Sequence, residues 1–264
     1  MIMANNQPIG FFDSGVGGIS VLKKAMELLP HEDFIYFGDS VNAPYGDKDL
    51  ETIRELSFQA VDFLLSFQCK SIVVACNTAT SAAISDIRAK YPDLPVIGIE
   101  PALKVAIDHT TDGKILVLAT NRTLHEEKFR KLSDQFSQSR NIVSLPLPGL
   151  VEIIENGEDF QEKSYDYLRK ALKDVDRDLS SVVLGCTHYP FIKPSLRRIF
   201  SEEILIVDGS EGTARRLKEV LTEEDLLHEE NHEGTLRVFN SSDSTKLIDL
   251  TYRLLKEDSD KDIL

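Results

Sequence analysis

Residues 71–80 read SIVVACNTAT, and residues 181–190 read SVVLGCTHYP. Each stretch is a short apolar run rich in β-branched residues, followed by a small residue, a cysteine and polar residues. Such a run, bounded by polar positions, reads as a strand buried on both faces of a parallel sheet. Cys76 and Cys186 then fall at strand C-termini, where the following loop begins. Open α/β sheets bind their ligands there. The expectation is that the two thiols face each other across one site.

Working outward, PIGFFD at 8–13 reads as a first strand, SGVGG at 14–18 as a glycine turn, and ISVLKKAMELL as a helix with Ile19, Leu22, Ala25, Met26 and Leu29 on one face. The glycines let backbone N–H groups approach a ligand. Their spacing is not GxGxxG, so a dinucleotide site is not expected. DFIYFGDS at 33–40 is a second strand, followed by the turn-rich NAPYGDK around Tyr45. Asp49 or Thr52 starts the next helix, SIVVA leads into Cys76, and PVIGIE at 95–100 is a further strand.

The second half repeats this order. KILVLAT at 114–120 matches the first strand and places Thr120 near the counterpart of Asp13. HEEKFRKLSDQF is a helix, NIVSLPL a strand, and PGLVEIIENG carries Glu152 and Glu155. SVVLG leads to Cys186, and EILIVDGSEGTARRLKEVL reads as strand, turn and helix. Strands alternating with helices make parallel βαβ units. The predicted fold is α/β, with two pseudo-symmetric, doubly wound parallel-sheet (Rossmann-like) lobes and the active site between them. The tail, KEDSDKDIL, is polar and expected to fray.

The 264 residues are 42% hydrophobic, which suits a globular chain. A net charge of −14 argues against nucleic acid and anionic membrane as partners. No apolar run approaches the ~20 residues of a membrane span. The first residues, MIMANNQPIGFF, have no basic n-region and no long apolar stretch, so no signal peptide and a cytoplasmic location are expected. Three widely spaced cysteines do not make a disulfide framework.

Cys69, with no polar company, reads as a small buried hydrophobe. Cys76 and Cys186 recur in matched positions beside hydroxyl, amide or imidazole groups. Each is expected near a helix N-terminus, which lowers a thiol's pKa. Two opposed thiols can form a redox disulfide, bind zinc with His188, or act as base and acid on opposite faces of one carbon. The last inverts a stereocentre. Asp13 is placed to serve Cys76, and His188, oriented by Glu155, to serve Cys186. No basic cluster accompanies the motifs. An anionic substrate would be held by helix N-termini and by Ser14, Asn77, Thr78 and Thr187.

With FDSGVGG at 12–18, GDSVNAPYG at 38–46, ACNTAT at 75–80, LVEIIE at 150–155 and LGCTHYP at 184–190, nearly the whole chain resembles the glutamate racemases of the aspartate/glutamate racemase superfamily. The resemblance implies a cofactor-independent isomerase with no metal, acting on glutamate as its small-molecule substrate. It implies Cys76 as the base toward D-glutamate, with Asp13 assisting, and Cys186 as the base toward L-glutamate, with His188 and Glu155 assisting. It implies substrate contacts at Asp13, Ser14, Tyr45, Gly46, Asn77, Thr78, Thr187 and His188, with Thr120 and Thr123 as further contacts. Many relatives carry proline at the position of Glu152, so the functional carboxylate is placed at Glu155. DGSE at 208–211 departs from the DSG-like sequence of relatives. The resemblance also implies supply of D-glutamate for peptidoglycan, a homodimer, and a C-terminal return to the first lobe. The lobes are then 1–98 plus 210–264, and 99–209.

Overall fold

The computed structural model describes residues 5–99, 102–109, 113–125, 141–176, 178–242 and 244–257. Nine strands are assigned among them: β1 Ile9–Asp13, β2 Phe34–Gly38, β3 Ser71–Val74, β4 Val96–Gly98, β5 Lys114–Ala119, β6 Asn141–Pro146, β7 Leu179–Gly185, β8 Leu205–Asp208 and β9 Leu236–Asn240. They form two all-parallel sheets, ordered β4-β3-β1-β2-β9 and β6-β5-β7-β8. Read from the other edge, the second sheet is β8-β7-β5-β6, which repeats β4-β3-β1-β2 strand for strand. The duplication expected from the cysteine runs is therefore a duplication of topology. The chain winds from β1 to one side and then crosses to β3 on the other, as it does from β5 to β7. The crevice at each reversal lies beyond the C-termini of β1 and β3, and of β5 and β7.

Residues of β1 and β3 are buried throughout, as central strands covered on both faces must be. The edge strand β6 alternates between exposed and half-buried positions. One apolar cluster runs from Phe11 and Val73 in the first sheet to Leu116, Leu118 and Leu184 in the second, so the two sheets share a core. Sequence reading does not predict β9. It pairs with β2 from Phe34↔Leu236 to Gly38↔Asn240 and returns the chain to the first sheet. The helix Ser210–Glu223 packs on the helix Ile19–Leu28, and the helix Thr245–Lys256 packs on that helix and on β9.

Local signals set the helix ends. Asp49 caps the helix Leu50–Leu65 by accepting the Thr52 N–H at 2.9 Å, so Asp49 rather than Thr52 starts it. The helix Leu150–Asn156 is framed by Gly149 at φ +83° and Gly157 at φ +75°, left-handed positions that suit glycine. Most of the expected helix HEEKFRKLSDQF, and the tail beyond Glu257, lie outside the described residues.

A buried ion pair anchors the N-terminal ends of the first sheet's strands. Lys70 Nζ lies 2.6 Å from Glu32 Oε2, with side chains 0% and 2% exposed. Lys70→Met leaves the Glu32 carboxylate buried without its cation. The expected loss is about 3–5 kcal/mol in urea unfolding; a loss under about 1 kcal/mol contradicts this assignment.

Candidate active site

The two switch points face each other, and the cavity between them is lined by residues of both sheets. From the first come Ser14, Pro44, Tyr45, Gly46, Cys76, Asn77 and Thr78; from the second come Thr120, Thr123, Val151, Gly185, Cys186, Thr187 and His188. None of these residues is a lysine or arginine. Asp13 and Glu155 stand behind the wall, bonded to residues that line it.

On the first side, Asp13 ends β1 fully buried. Its Oδ1 accepts the Gly15 N–H at 2.9 Å, and its Oδ2 accepts the Thr187 hydroxyl from the opposite sheet at 3.0 Å. Burial pushes the carboxyl above its usual range, against the pull of His188, the Gly15 N–H and the Thr187 hydroxyl. Cys76 sits at the N-cap of the helix Asn77–Lys90 and accepts the Ala79 N–H at 3.4 Å. Its Sγ is 3.7 Å from Ser14 Oγ.

The expectation that a helix N-terminus lowers this thiol's pKa is overturned. Burial, reinforced by Asp13, pushes Cys76 up to about 12, outweighing the Ala79 N–H and Ser14. Cys69 is also pushed up to about 12 by burial, in keeping with its reading as a hydrophobe.

On the second side, Cys186 follows β7, but no regular helix starts at it. Pro190 lies in a single 3₁₀ turn, Tyr189–Ile192. A short helix, Lys193–Arg197, starts only after that turn, so its N-terminus is set back from Cys186 and the partner of this thiol is a side chain. Cys186 Sγ lies 3.8 Å from His188 Nδ1, and His188 Nε2 lies 2.8 Å from Glu155 Oε1. The same carboxylate oxygen accepts the Val16 N–H at 3.1 Å. Burial opposes a charged imidazole, but Cys186 and Glu155 outweigh it and raise the His188 pKa well above its usual value. Burial likewise opposes the Glu155 carboxylate, yet His188 holds its pKa below the usual range. The result is an imidazolium–carboxylate pair against one thiol and a buried carboxyl beside the other.

Further hydrogen bonds, one of them from Ser20, which the sequence did not mark, keep this arrangement in register. Ser20 Oγ donates to the Thr187 carbonyl at 3.0 Å, across the cleft. Thr120 and Thr123 share a hydroxyl–hydroxyl hydrogen bond at 3.0 Å, and a Cβ on Gly46 would meet Thr120 at 3.4 Å. Glu152 is exposed, whereas Glu155 holds His188.

Sequence reading missed Val151, Pro44 and Gly185 in the wall, and the support supplied by Asp39 and Tyr36. The Tyr45 hydroxyl donates to Asp39 Oδ2 at 2.7 Å, and the Tyr36 hydroxyl donates to the Gly15 carbonyl at 2.8 Å. Asp39 lies within the GDSVNAPYG motif, which was its only signal.

The glycines of the SGVGG turn are required by close contact, since none of them adopts a positive φ. A Cβ on Gly17 would lie 2.4 Å from His188 Nδ1 and 2.6 Å from Thr187 Oγ1; one on Gly15 would lie 1.8 Å from Glu155 Oε1. Gly17→Ala is expected to displace the imidazole by about 1 Å and lower turnover about 10²-fold while the Tm changes little. Wild-type turnover in this variant would mean that His188 does not need its present place.

Two lobes of one topology, with a thiol from each at a shared cleft, define a duplicated α/β class of protein with one site between its halves. Residues 18–217 match the Asp/Glu/Hydantoin racemase family, and the chain belongs to it. It therefore stands among the racemases, which are isomerases. It is 50% identical to a glutamate racemase of Clostridium perfringens over 252 residues, covering 95% of this chain and 97% of that one. It superposes on a glutamate racemase isoform of Bacillus anthracis with a TM-score of 0.85 at 30% identity, covering 96% and 95% of the two chains. A glutamate racemase of Francisella tularensis, solved in complex with D-glutamate, superposes with a TM-score of 0.82 at 29% identity, covering 96% and 95%.

Proposed function

We propose that this chain interconverts L- and D-glutamate, with Cys76 and Cys186 as the two acid–base groups. The observation that carries the reading is one cavity lined by both thiols, each following the equivalent strand of a repeated sheet. The choice of glutamate is supported by the named activity of relatives at about half identity along nearly the whole chain, and by the D-glutamate held by a structural neighbour.

Starting from L-glutamate, Cys186, backed by the His188–Glu155 pair, removes the Cα proton. The electron pair passes into the α-carboxylate. Cys76, a thiol at neutral pH, delivers its proton to the opposite face and D-glutamate forms. In the reverse direction Cys76 must first lose its proton. Asp13 is the acceptor, and its raised pKa makes it a stronger base than an ordinary carboxylate. Exchange with solvent through these flanking groups restores the resting state. The substrate's carboxylates are held by the N-terminus of the helix Asn77–Lys90 and by Ser14, Asn77, Thr78 and Thr187, with Tyr45, Gly46, Thr120 and Thr123 as further contacts. These donors also stabilise the charge that builds on the α-carboxylate.

The wider setting of the proposal is a cytoplasmic homodimer that supplies D-glutamate for peptidoglycan. The lobes are drawn as 1–98 plus 210–264, and 99–209. The pairing of β9 with β2 supports those boundaries. Racemisation of D-glutamate and D-aspartate without added cofactor tests the substrate assignment. Activity on glutamate is expected, and a preference for aspartate overturns it.

A further inference from the structure

A second cluster of chemically active side chains lies at the opposite, N-terminal end of the first sheet. Asp33 immediately precedes β2, and His228 and His232 lie in the loop between the helix Ser210–Glu223 and β9. One ring nitrogen from each histidine and one Asp33 oxygen lie within 4.8 Å of one another. His232 Nε2 is already 3.0 Å from Asp33 Oδ1. The two imidazoles stack, with centroids 3.9 Å apart and planes inclined by 22°.

The second observation is an orphan. His228 Nδ1 is buried with no hydrogen-bond partner among the described residues. A buried ring nitrogen without a partner is costly in a purely structural role. Its surroundings are otherwise well bonded: the His228 N–H donates to Glu32 Oε1 at 2.8 Å, His31 Nδ1 lies 2.8 Å from the His232 carbonyl, and Asp33 Oδ1 accepts the Thr235 N–H at 2.9 Å. Exposed Glu229, Glu230 and Glu233 add negative charge around the loop.

We propose that Asp33, His228 and His232 form a site for a divalent transition-metal ion of the zinc class, which clasps the 226–235 loop to the start of β2. Two imidazoles and one carboxylate with a fourth position left to water is a donor set that zinc accepts. Donors on one tetrahedral zinc ion lie about 3.3 Å apart, so side-chain movements of about 1 Å assemble the site. The loop leads directly into β9, and β9 pairs with the strand that feeds the Asp39–Tyr45 segment of the cleft. The ion is thus structural and stands apart from the reacting groups.

The test is calorimetric titration of Zn²⁺ into the chelator-treated full chain. It is repeated with His228→Gln, His232→Gln, Asp33→Asn and a Cys76→Ala/Cys186→Ala double variant. One equivalent is expected to bind to the wild type and to the double-thiol variant. The three cluster variants should each lose at least about 10-fold in affinity. At about hundredfold excess over its Kd, zinc should raise the wild-type Tm by about 5 °C and leave the His228→Gln Tm unmoved. Unchanged racemisation by His228→Gln without zinc reports an intact fold. Absence of zinc binding, or binding lost in the double-thiol variant and kept in the cluster variants, overturns the proposal.

Discussion

Alanine at either Cys76 or Cys186 is expected to lower racemisation by about 10³-fold or more, because in the proposed mechanism each variant lacks the acid–base thiol on one face of the substrate. The fold should survive. Each side chain is small and more than nine-tenths buried, so removing the sulfur costs about 1 kcal/mol. The residual chemistry should be one-sided. Cys186→Ala keeps the Cys76 face and should still exchange the α-hydrogen of D-glutamate with solvent. Cys76→Ala should do the same with L-glutamate. Assays of both enantiomers, paired with α-hydrogen exchange by NMR, separate these outcomes. Near-wild-type turnover in both directions by either variant defeats the assignment of two acid–base thiols.

His188→Asn should lower turnover by at least about 10²-fold. His188 is the cation beside Cys186, and its Nε2 is held by Glu155 at 2.8 Å. Enantiomers have equal free energy, so kcat/KM must fall by the same factor in both directions whatever the residue does. The asymmetry must therefore be read in kcat itself. Proton removal from L-glutamate by Cys186 is the step that loses its support, so kcat from L-glutamate should fall further than kcat from D-glutamate, with KM for L-glutamate falling in step. Equal losses of kcat in the two directions would mean that the sides are wrongly assigned.

The parts of the fold legible in the sequence are those whose burial leaves a one-dimensional trace. SIVVA and SVVLG read as strands because both faces of β3 and β7 are covered, and their likeness exposed the repeat. The strand β9 left no such trace. LRVFN lies at a sheet edge with one exposed and four half-buried positions, and its pairing with β2 spans about 200 residues of chain. The site followed the same division. Residues next to the thiols in sequence, such as Asn77, Thr187 and His188, were legible, as was Ser14 in its glycine turn. Val151 was not, because an apolar residue facing a cleft looks like one facing a core.

Electrostatics were legible only in part. The helix after Cys76 was readable from its sequence, but the burial of the thiol and its proximity to Asp13 depend on strands far apart in the chain. Those non-local effects reverse the shift that the helix alone predicts. On the other side, a 3₁₀ turn carrying Pro190 stands between Cys186 and the short helix Lys193–Arg197, and the pair His188–Glu155 lies against the thiol instead. The symmetry in sequence and topology therefore ends at the sulfur atoms. One thiol is kept protonated by burial beside a carboxyl, and the other lies against an imidazolium.

The most direct test of that account is to start the purified protein on L-glutamate in deuterated water and analyse both enantiomers early in the reaction. Two thiols on opposite faces predict that the first D-glutamate formed carries solvent deuterium at Cα, while the remaining L-glutamate is still unlabelled. D-glutamate that retains the original hydrogen, or deuterium entering both enantiomers at the same rate from the outset, would contradict it.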